Sequence, residues 1–306
     1  MRMGVVRGRF APSPTGSLHL GNLRTALVAW LSARSEGGEF IVRMEDLDRV
    51  TSSRLHEIDQ LASLRSIGLD WDGEVVRQSD RYALYHDAID RLPADQVYEC
   101  FCTRREIRQA AEAPHGADPD GRYPGTCRSL TDADRWALRE GGRRPALRLR
   151  SDDGDESFDD RCCGPQAGRV DDLVLQRNDG VPAYNLAVVV DDAAQGVTQV
   201  VRGDDLLAST PGQIRLHRLL DLPIPEYAHV PLALAPDGTR LAKRHGAVTL
   251  ADLAERGLSP GDVCARLAES LGIDTGGRPV MAGDLLDRFD LARLPRSPWR
   301  LSPGEL

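Results

Sequence analysis

Three groups of residues along the chain have the types and spacing to do chemistry. The first is the loop Arg9-Phe10-Ala11-Pro12-Ser13-Pro14-Thr15-Gly16, followed closely by His19-Leu20-Gly21-Asn22. Leu20, Leu23, Leu27, Trp30 and Leu31 recur at helical spacing, which sets His19, Gly21 and Asn22 at the start of a helix. The unpaired N–H groups and positive dipole end of a helix start favour an anion such as phosphate. His19 can donate to a phosphate oxygen, and Gly21 lets a base or ribose approach the backbone. The second group is the basic loop Gly238-Thr239-Arg240-Leu241-Ala242-Lys243-Arg244-His245-Gly246, from which Lys243 can reach the same phosphates. Each has a plainer reading when taken alone, as a capped Pro/Gly turn and as a solvated basic loop. The third group is Cys100-Phe101-Cys102 with Tyr123-Pro124-Gly125-Thr126-Cys127. Six cysteines in 306 residues, unevenly spaced, do not make a disulfide scaffold. Cys100, Cys102 and Cys127 supply three of the four ligands of a closed tetrahedral zinc site, with Tyr123 or His115 as the fourth. The plainer reading here is free, buried cysteines.

These residues need a frame. Val5 to Phe10 has strand character, and two prolines keep the loop after it out of regular structure. A second strand, Phe40-Ile41-Val42-Arg43-Met44, runs into acidic Glu45-Asp46, and a helix marked by Leu55, Ile58, Leu61, Leu64 and Ile67 ends at Gly68. This alternation predicts right-handed βαβ units and a parallel sheet, with ligands at the carboxyl ends of the strands, where the residues from Arg9 to Gly21 and Glu45 fall. From about residue 98 to 168 the pattern breaks, as an insertion would break it. It resumes with strands expected at Ala187-Val188-Val189-Val190, at residues 197–201 and around 229–234, and a helix over 210–220. Two helices follow, the second capped by Ser259 and begun by Pro260.

Composition narrows the function classes. The chain is 41% hydrophobic and 28% charged, with a formal net charge of −8, which suits an ordered domain and excludes a nucleic-acid binder that relies on bulk positive charge. A local basic groove stays possible. No apolar run is long enough to span a membrane, and the opening residues lead directly into the first strand without signal-peptide architecture. The expectation is a cytoplasmic protein with no membrane partner.

Together the motifs resemble the class I aminoacyl-tRNA synthetases, whose two signatures are written HIGH and KMSKS. Within that class the chain is similar to the glutamyl-tRNA synthetase family. The match runs in order from the Arg9 to Gly16 loop through Arg43-Met44-Glu45-Asp46-Leu47-Asp48, Tyr184-Asn185-Leu186-Ala187-Val188-Val189-Val190-Asp191-Asp192 and Arg202-Gly203-Asp204-Asp205-Leu206-Leu207 to Leu241-Ala242-Lys243-Arg244-His245-Gly246. Asn22 replaces the last His of the first signature, and Ala242 replaces the serine of the second. The resemblance implies an α/β fold, a Rossmann-like parallel sheet split by an inserted, zinc-containing acceptor-type domain and followed by a short helical C-terminal region. The expected boundaries are 1–97 and 181–238 for the catalytic halves, 98–180 for the insertion, and 239–306 for the basic loop and a helical stem-contact region.

The resemblance also implies an activity: joining the carboxylate of glutamate to the α-phosphate of ATP, with Mg²⁺ carried by the nucleotide. Phosphate chemistry then falls to His19 and Lys243, with Gly21 and Asn22 at the ATP site. Family residues carry over to Arg9 and Arg202 for the two carboxylates of glutamate, Glu45 for its ammonium, and Ser13 and Tyr184 for hydrogen bonds. One structural Zn²⁺ is implied on Cys100, Cys102, Tyr123 and Cys127. About sixty residues follow His245, fewer than an anticodon-binding half requires. This layout is similar to the truncated glutamyl-queuosine branch, which activates glutamate without tRNA and places it on queuosine in the anticodon loop of tRNA(Asp). The implied partners are glutamate, ATP and queuosine-containing tRNA(Asp), and the expected state is a monomer. The catalytic half of a split glutamyl-tRNA synthetase and a non-catalytic tRNA-binding paralogue are the alternatives.

Overall fold

The computed structural model describes residues 5–111, 123–151, 154–239, 241 and 248–301. Strand β1 (Arg7–Phe10) leads through the Pro/Gly loop into helix α1 (Leu20–Ser35), then β2 (Glu39–Met44), α2 (Arg54–Ser66), the short β3 (Val76–Arg77) and α3 (Tyr82–Arg91). Next come β4 (Val97–Cys100), α4 (Arg104–Ala111), α5 (Asp132–Glu140), β5 (Ala146–Leu149), the hairpin β6 (Asp155–Asp160) and β7 (Gly164–Arg169), and β8 (Val174–Gln176). Helix α6 (Tyr184–Ala194), β9 (Gln199–Gly203), α7 (Thr210–Leu219), β10 (Glu226–Val230) and β11 (Ala233–Leu234) follow. The chain then forms α8 (Leu250–Glu255), α9 (Pro260–Ser270) and β12 (Trp299–Arg300).

The main sheet has the order β3-β2-β1-β9-β10-β6-β7, parallel up to β6 and closed by the antiparallel β7. Its strand order reverses between β1 and β9, and a crevice for ligands opens at such a switch point. A separate three-stranded antiparallel sheet, β4-β5-β8, carries the cysteine-rich segment. The stretch between residues 98 and 180 therefore serves two sheets, because its β6–β7 hairpin extends the main one. Asp160, the last residue of β6, pairs with Tyr227 of β10.

One local expectation fails. Ala187-Val188-Val189-Val190 is helical, inside α6, and every residue from Leu186 to Asp192 is buried. Helix α6 packs against α3, α7 and β8, so no face of this segment stays polar and no 3.6-residue period shows in its sequence. The main core is centred on α1, where Leu23, Ala26, Leu27, Val28 and Leu31 are fully buried. Among the described residues no helix is long and apolar enough to cross a membrane.

Candidate active site and cysteine cluster

A cavity of about 1320 Å³ opens at the switch point. It is lined by Arg9, Ser13, His19, Gly21, Asn22, Glu45, Tyr184 and Arg202, among others. The structure thus gathers residues from four separate motifs at the carboxyl ends of β1, β2 and β9 and at the start of α6. Lys243 lies outside the described residues, while Leu241 and Val248, which flank its loop, both line the cavity.

The Pro/Gly loop is held by backbone bonds. Glu45 N–H donates to Pro12 O (2.9 Å), Ser53 N–H to Pro14 O (3.0 Å), and the buried Gln60 amide donates to Ser13 O (3.0 Å) and Gly16 O (2.7 Å). These bonds fix where Ser13 sits. At the start of α1, His19 and Asn22 cap one another: Asn22 N–H donates to His19 Nδ1 (3.3 Å) and His19 N–H donates to Asn22 Oδ1 (3.2 Å). With its Nδ1 lone pair engaged, the neutral imidazole carries its proton on Nε2, as a donor. Burial lowers the pKa of His19 and favours that neutral form. A Cβ at residue 21 would lie 3.0 Å from His19 Cε1, so Gly21 also clears room for the imidazole. The departure at Asn22 from the family signature is thus one half of the cap that orients His19.

Charge at the cavity floor is fixed by a buried network. Arg43, fully buried on β2, meets Asp192 Oδ1 (2.8 Å), Glu45 Oε1 (3.4 Å) and Asp191 Oδ2 (3.6 Å). Asp191 also accepts from Gln78 (2.9 Å), Tyr85 (2.8 Å) and Arg81 (2.6 Å). Arg9 lies 3.4 Å from Asp192 and donates to Val201 O at 3.2 Å, beside the strand position of Arg202. Burial raises the pKa of Glu45 despite the opposing pull of Arg43 and Arg9. For Asp192 burial pushes the same way, but Arg43 and Arg9 hold it below the usual carboxylate range. Burial and the neighbouring Glu45 raise the Tyr184 phenol, which stays a neutral donor. Arg43, Asp191 and Asp192 stand in motifs that point to the site, yet nothing in their spacing gives them this role. The Arg43–Asp192 contact alone spans 149 residues of sequence.

The cysteine cluster lies at the end of β4. The Sγ atoms of Cys100, Cys102 and Cys127 all lie within 4.8 Å of one another, with Cys102 and Cys127 at 3.6 Å. A tetrahedral ion with bonds of about 2.3 Å holds sulfurs about 3.8 Å apart, close to the Cys102–Cys127 separation, so these thiols could hold zinc after movements of about 1 Å or less. The Tyr123 oxygen is 3.9 Å from Cys102 Sγ and accepts from Cys127 N–H at 2.8 Å. Phe101 N–H points at Cys127 Sγ (3.4 Å). Burial, with the adjacent thiols, pushes Cys102 up to about 12. His115, the other candidate for fourth ligand, lies outside the described residues.

Comparison with known proteins places this geometry in a family. Residues 5–279 match the model of the class I tRNA synthetase (E and Q) catalytic domain. The chain is 61% identical over 300 residues to a glutamyl-Q tRNA(Asp) synthetase of Nocardia farcinica, covering 98% of this chain and 94% of that one. It is 51% identical to a protein of the same name from Symbiobacterium thermophilum, covering 97% and 96%. A glutamate tRNA ligase from Elizabethkingia meningosepticum, solved in complex with its amino acid, superposes with a TM-score of 0.80 at 30% identity, covering 98% of this chain and 68% of that one. The chain belongs to the class I tRNA synthetase family of glutamate and glutamine type, among the ligases that carry the glutamyl-Q tRNA(Asp) synthetase name.

Proposed function

We propose that the protein activates glutamate with ATP, without tRNA, and transfers it to queuosine in the anticodon loop of tRNA(Asp). The observation that carries this reading is the charge pattern at the strand ends, where two buried guanidiniums, Arg9 and Arg202, share one cavity with the carboxylate of Glu45. This is the complement of an amino acid with two carboxylates and one ammonium, since buried charges must be paired. The names and near-complete overlap of the relatives support the branch.

In the activation step a carboxylate oxygen of glutamate attacks the α-phosphorus of ATP. The bond to the β-phosphate bridging oxygen breaks, and pyrophosphate leaves with its Mg²⁺. Negative charge grows on the α-phosphate, where the His19 Nε2–H, the start of α1 and Lys243 supply donors and a cation. A hydroxyl of the queuosine cyclopentenediol then attacks the acyl carbonyl, loses its proton, and releases AMP. Ser13 and Tyr184 hydrogen-bond the amino acid. Zinc on Cys100, Cys102, Cys127 and Tyr123 supplies structural closure to the small sheet and takes no part in these steps.

The test supplies labelled glutamate and ATP with tRNA(Asp) that carries or lacks queuosine. Glutamate-driven ATP–pyrophosphate exchange is expected without tRNA. Label is expected in the anticodon loop of the modified tRNA alone. Charging of unmodified tRNA(Glu) at its 3′ end by this chain would overturn the acceptor and favour a conventional glutamyl-tRNA synthetase catalytic unit.

A further inference from the structure

Arg202 is held by three neutral acceptors. Its Nε–H donates to His229 Nε2 (3.0 Å), one terminal nitrogen to Gln213 Oε1 (2.8 Å) and the other to Thr210 Oγ1 (2.8 Å). A guanidinium only donates, so His229 Nε2 must present a lone pair. The other ring nitrogen, Nδ1, lies 2.6 Å from Asp160 Oδ2. Asp160 is itself fixed: Oδ1 accepts from the N–H groups of Cys162 (2.9 Å) and Cys163 (2.8 Å), and both oxygens lie 3.1 Å from His229 N–H. These are contacts of an ionised carboxylate. The imidazole is therefore neutral and protonated on Nδ1, with both ring nitrogens committed by their partners.

We infer that Asp160 and His229 are positioning residues for Arg202, a carboxylate and an imidazole in series that lock one tautomer and so aim the guanidinium into the cavity. This rests on the proposed glutamate reading for the ligand that Arg202 meets. The arrangement has a specific electrostatic consequence. Asp160 touching Arg202 directly would satisfy its charge within the protein. Interposing a neutral ring keeps the anion one side chain away and leaves the cation for a substrate carboxylate. Asp160 comes from the hairpin strand β6, so the segment inserted between the catalytic halves reaches the substrate site through β10.

The test is the isosteric Asp160→Asn variant, with the wild type as reference. The amide oxygen keeps the backbone N–H donors and its NH₂ faces Nδ1, so the ring takes the Nε2–H form; that proton turns from Arg202 toward Thr210 Oγ1, 3.1 Å from Nε2, and Arg202 Nε–H loses its acceptor. In ATP–pyrophosphate exchange the KM for glutamate should rise on the order of tenfold or more, as for one lost hydrogen bond to a charged group. The KM for ATP should stay within about twofold, which loss of folded protein would not produce. Nitrogen-15 spectra of labelled histidine, with His229 assigned through His229→Gln, should show Nδ1–H in the wild type and Nε2–H in Asp160→Asn. His229→Gln, whose side-chain oxygen can accept from Arg202, should bind glutamate more tightly than His229→Leu. A wild-type Nε2–H tautomer overturns the inference even if no variant folds. So does an Asp160→Asn enzyme with unchanged glutamate KM. If glutamate drives no exchange in the wild type, the glutamate reading falls instead, and the tautomers of wild type and variant still decide the relay.

Discussion

The cavity and the cysteine cluster are built in opposite ways. The cavity is moulded by buried charged side chains whose positions are fixed within the protein: Arg43 ties Glu45 to Asp192, Arg9 reaches Asp192, and Arg202 is held by three neutral acceptors. The mould crosses β1, β2, α6 and β9, so its geometry is set by the sheet. Among the described residues the cysteine cluster packs around a small local core of Tyr98, Cys100, Phe101, Tyr123 and Cys127, with the Arg148 guanidinium 4.1 Å from the Tyr123 ring centre. The first region is a cavity whose lining charges are set by the fold. The second gathers three thiols that could hold one metal ion, around a few local side chains.

The sharpest way to break this comparison is Arg43→Met. Loss of one buried cation leaves Asp191, Asp192 and Glu45 short of a common partner, and removing one member of such a network costs about 3–5 kcal/mol. Urea denaturation should show that loss, and a change below about 1 kcal/mol would mean the cavity floor is not held by this network. His19→Ala should reduce the exchange turnover by on the order of 10²–10³, as for one preorganised donor to developing charge, while glutamate binding by calorimetry changes little. An equal loss of glutamate affinity would place His19 in the amino-acid site instead.

The cysteine cluster should respond differently. Metal analysis of unchelated protein should find about one zinc per chain, and Cys127→Ser should lose it and lower the melting temperature, each kcal/mol lost being worth roughly 2–4 °C or less in a protein of this size. Glutamate-driven exchange should persist in large part. Complete loss of exchange on metal removal would show the two regions to be one structural unit.

The site was legible where its residues stand in contiguous runs. A strand, a Pro/Gly loop and a helix start place Arg9, Ser13 and His19 together by local rules alone, and the turn from β2 places Glu45. Ala187 to Val190 reads as a strand and folds as a helix because burial on every side erases periodicity. His229 and Asp160 left no trace: their partners lie 27 and 69 residues away, and a His or Asp at a strand end has no spacing that signals a tertiary hydrogen bond. Arg43 and the Asp191-Asp192 pair lay inside recognised motifs without a role, since only the tertiary fold shows which cation meets which anion. The reciprocal cap of His19 by Asn22 is the exception, an i, i+3 pair that local rules can find.

The smallest effect concerns acid, and it divides the two regions once more. His217 on α7 is buried in the catalytic body, and burial lowers its pKa from 6.5 to about 4, with Asp192 opposing. The unfolded chain takes up this proton near pH 6.5, whereas the folded chain resists until about pH 4. Stability is therefore fully present above the unfolded value and is lost as pH falls below it. Between pH 7 and 5.5 this histidine alone should remove about 1 kcal/mol from the unfolding free energy. His19 and His229, also lowered chiefly by burial, act with the same sign. Urea titrations at the two pH values, on wild type and His217→Met, measure the His217 share as the difference between the two slopes. Use of metal-stripped protein for both keeps the thiols of the small sheet out of the comparison. Equal pH dependence in wild type and variant would mean that His217 is protonated in the folded protein at pH 5.5, and that the floor of the catalytic body admits water.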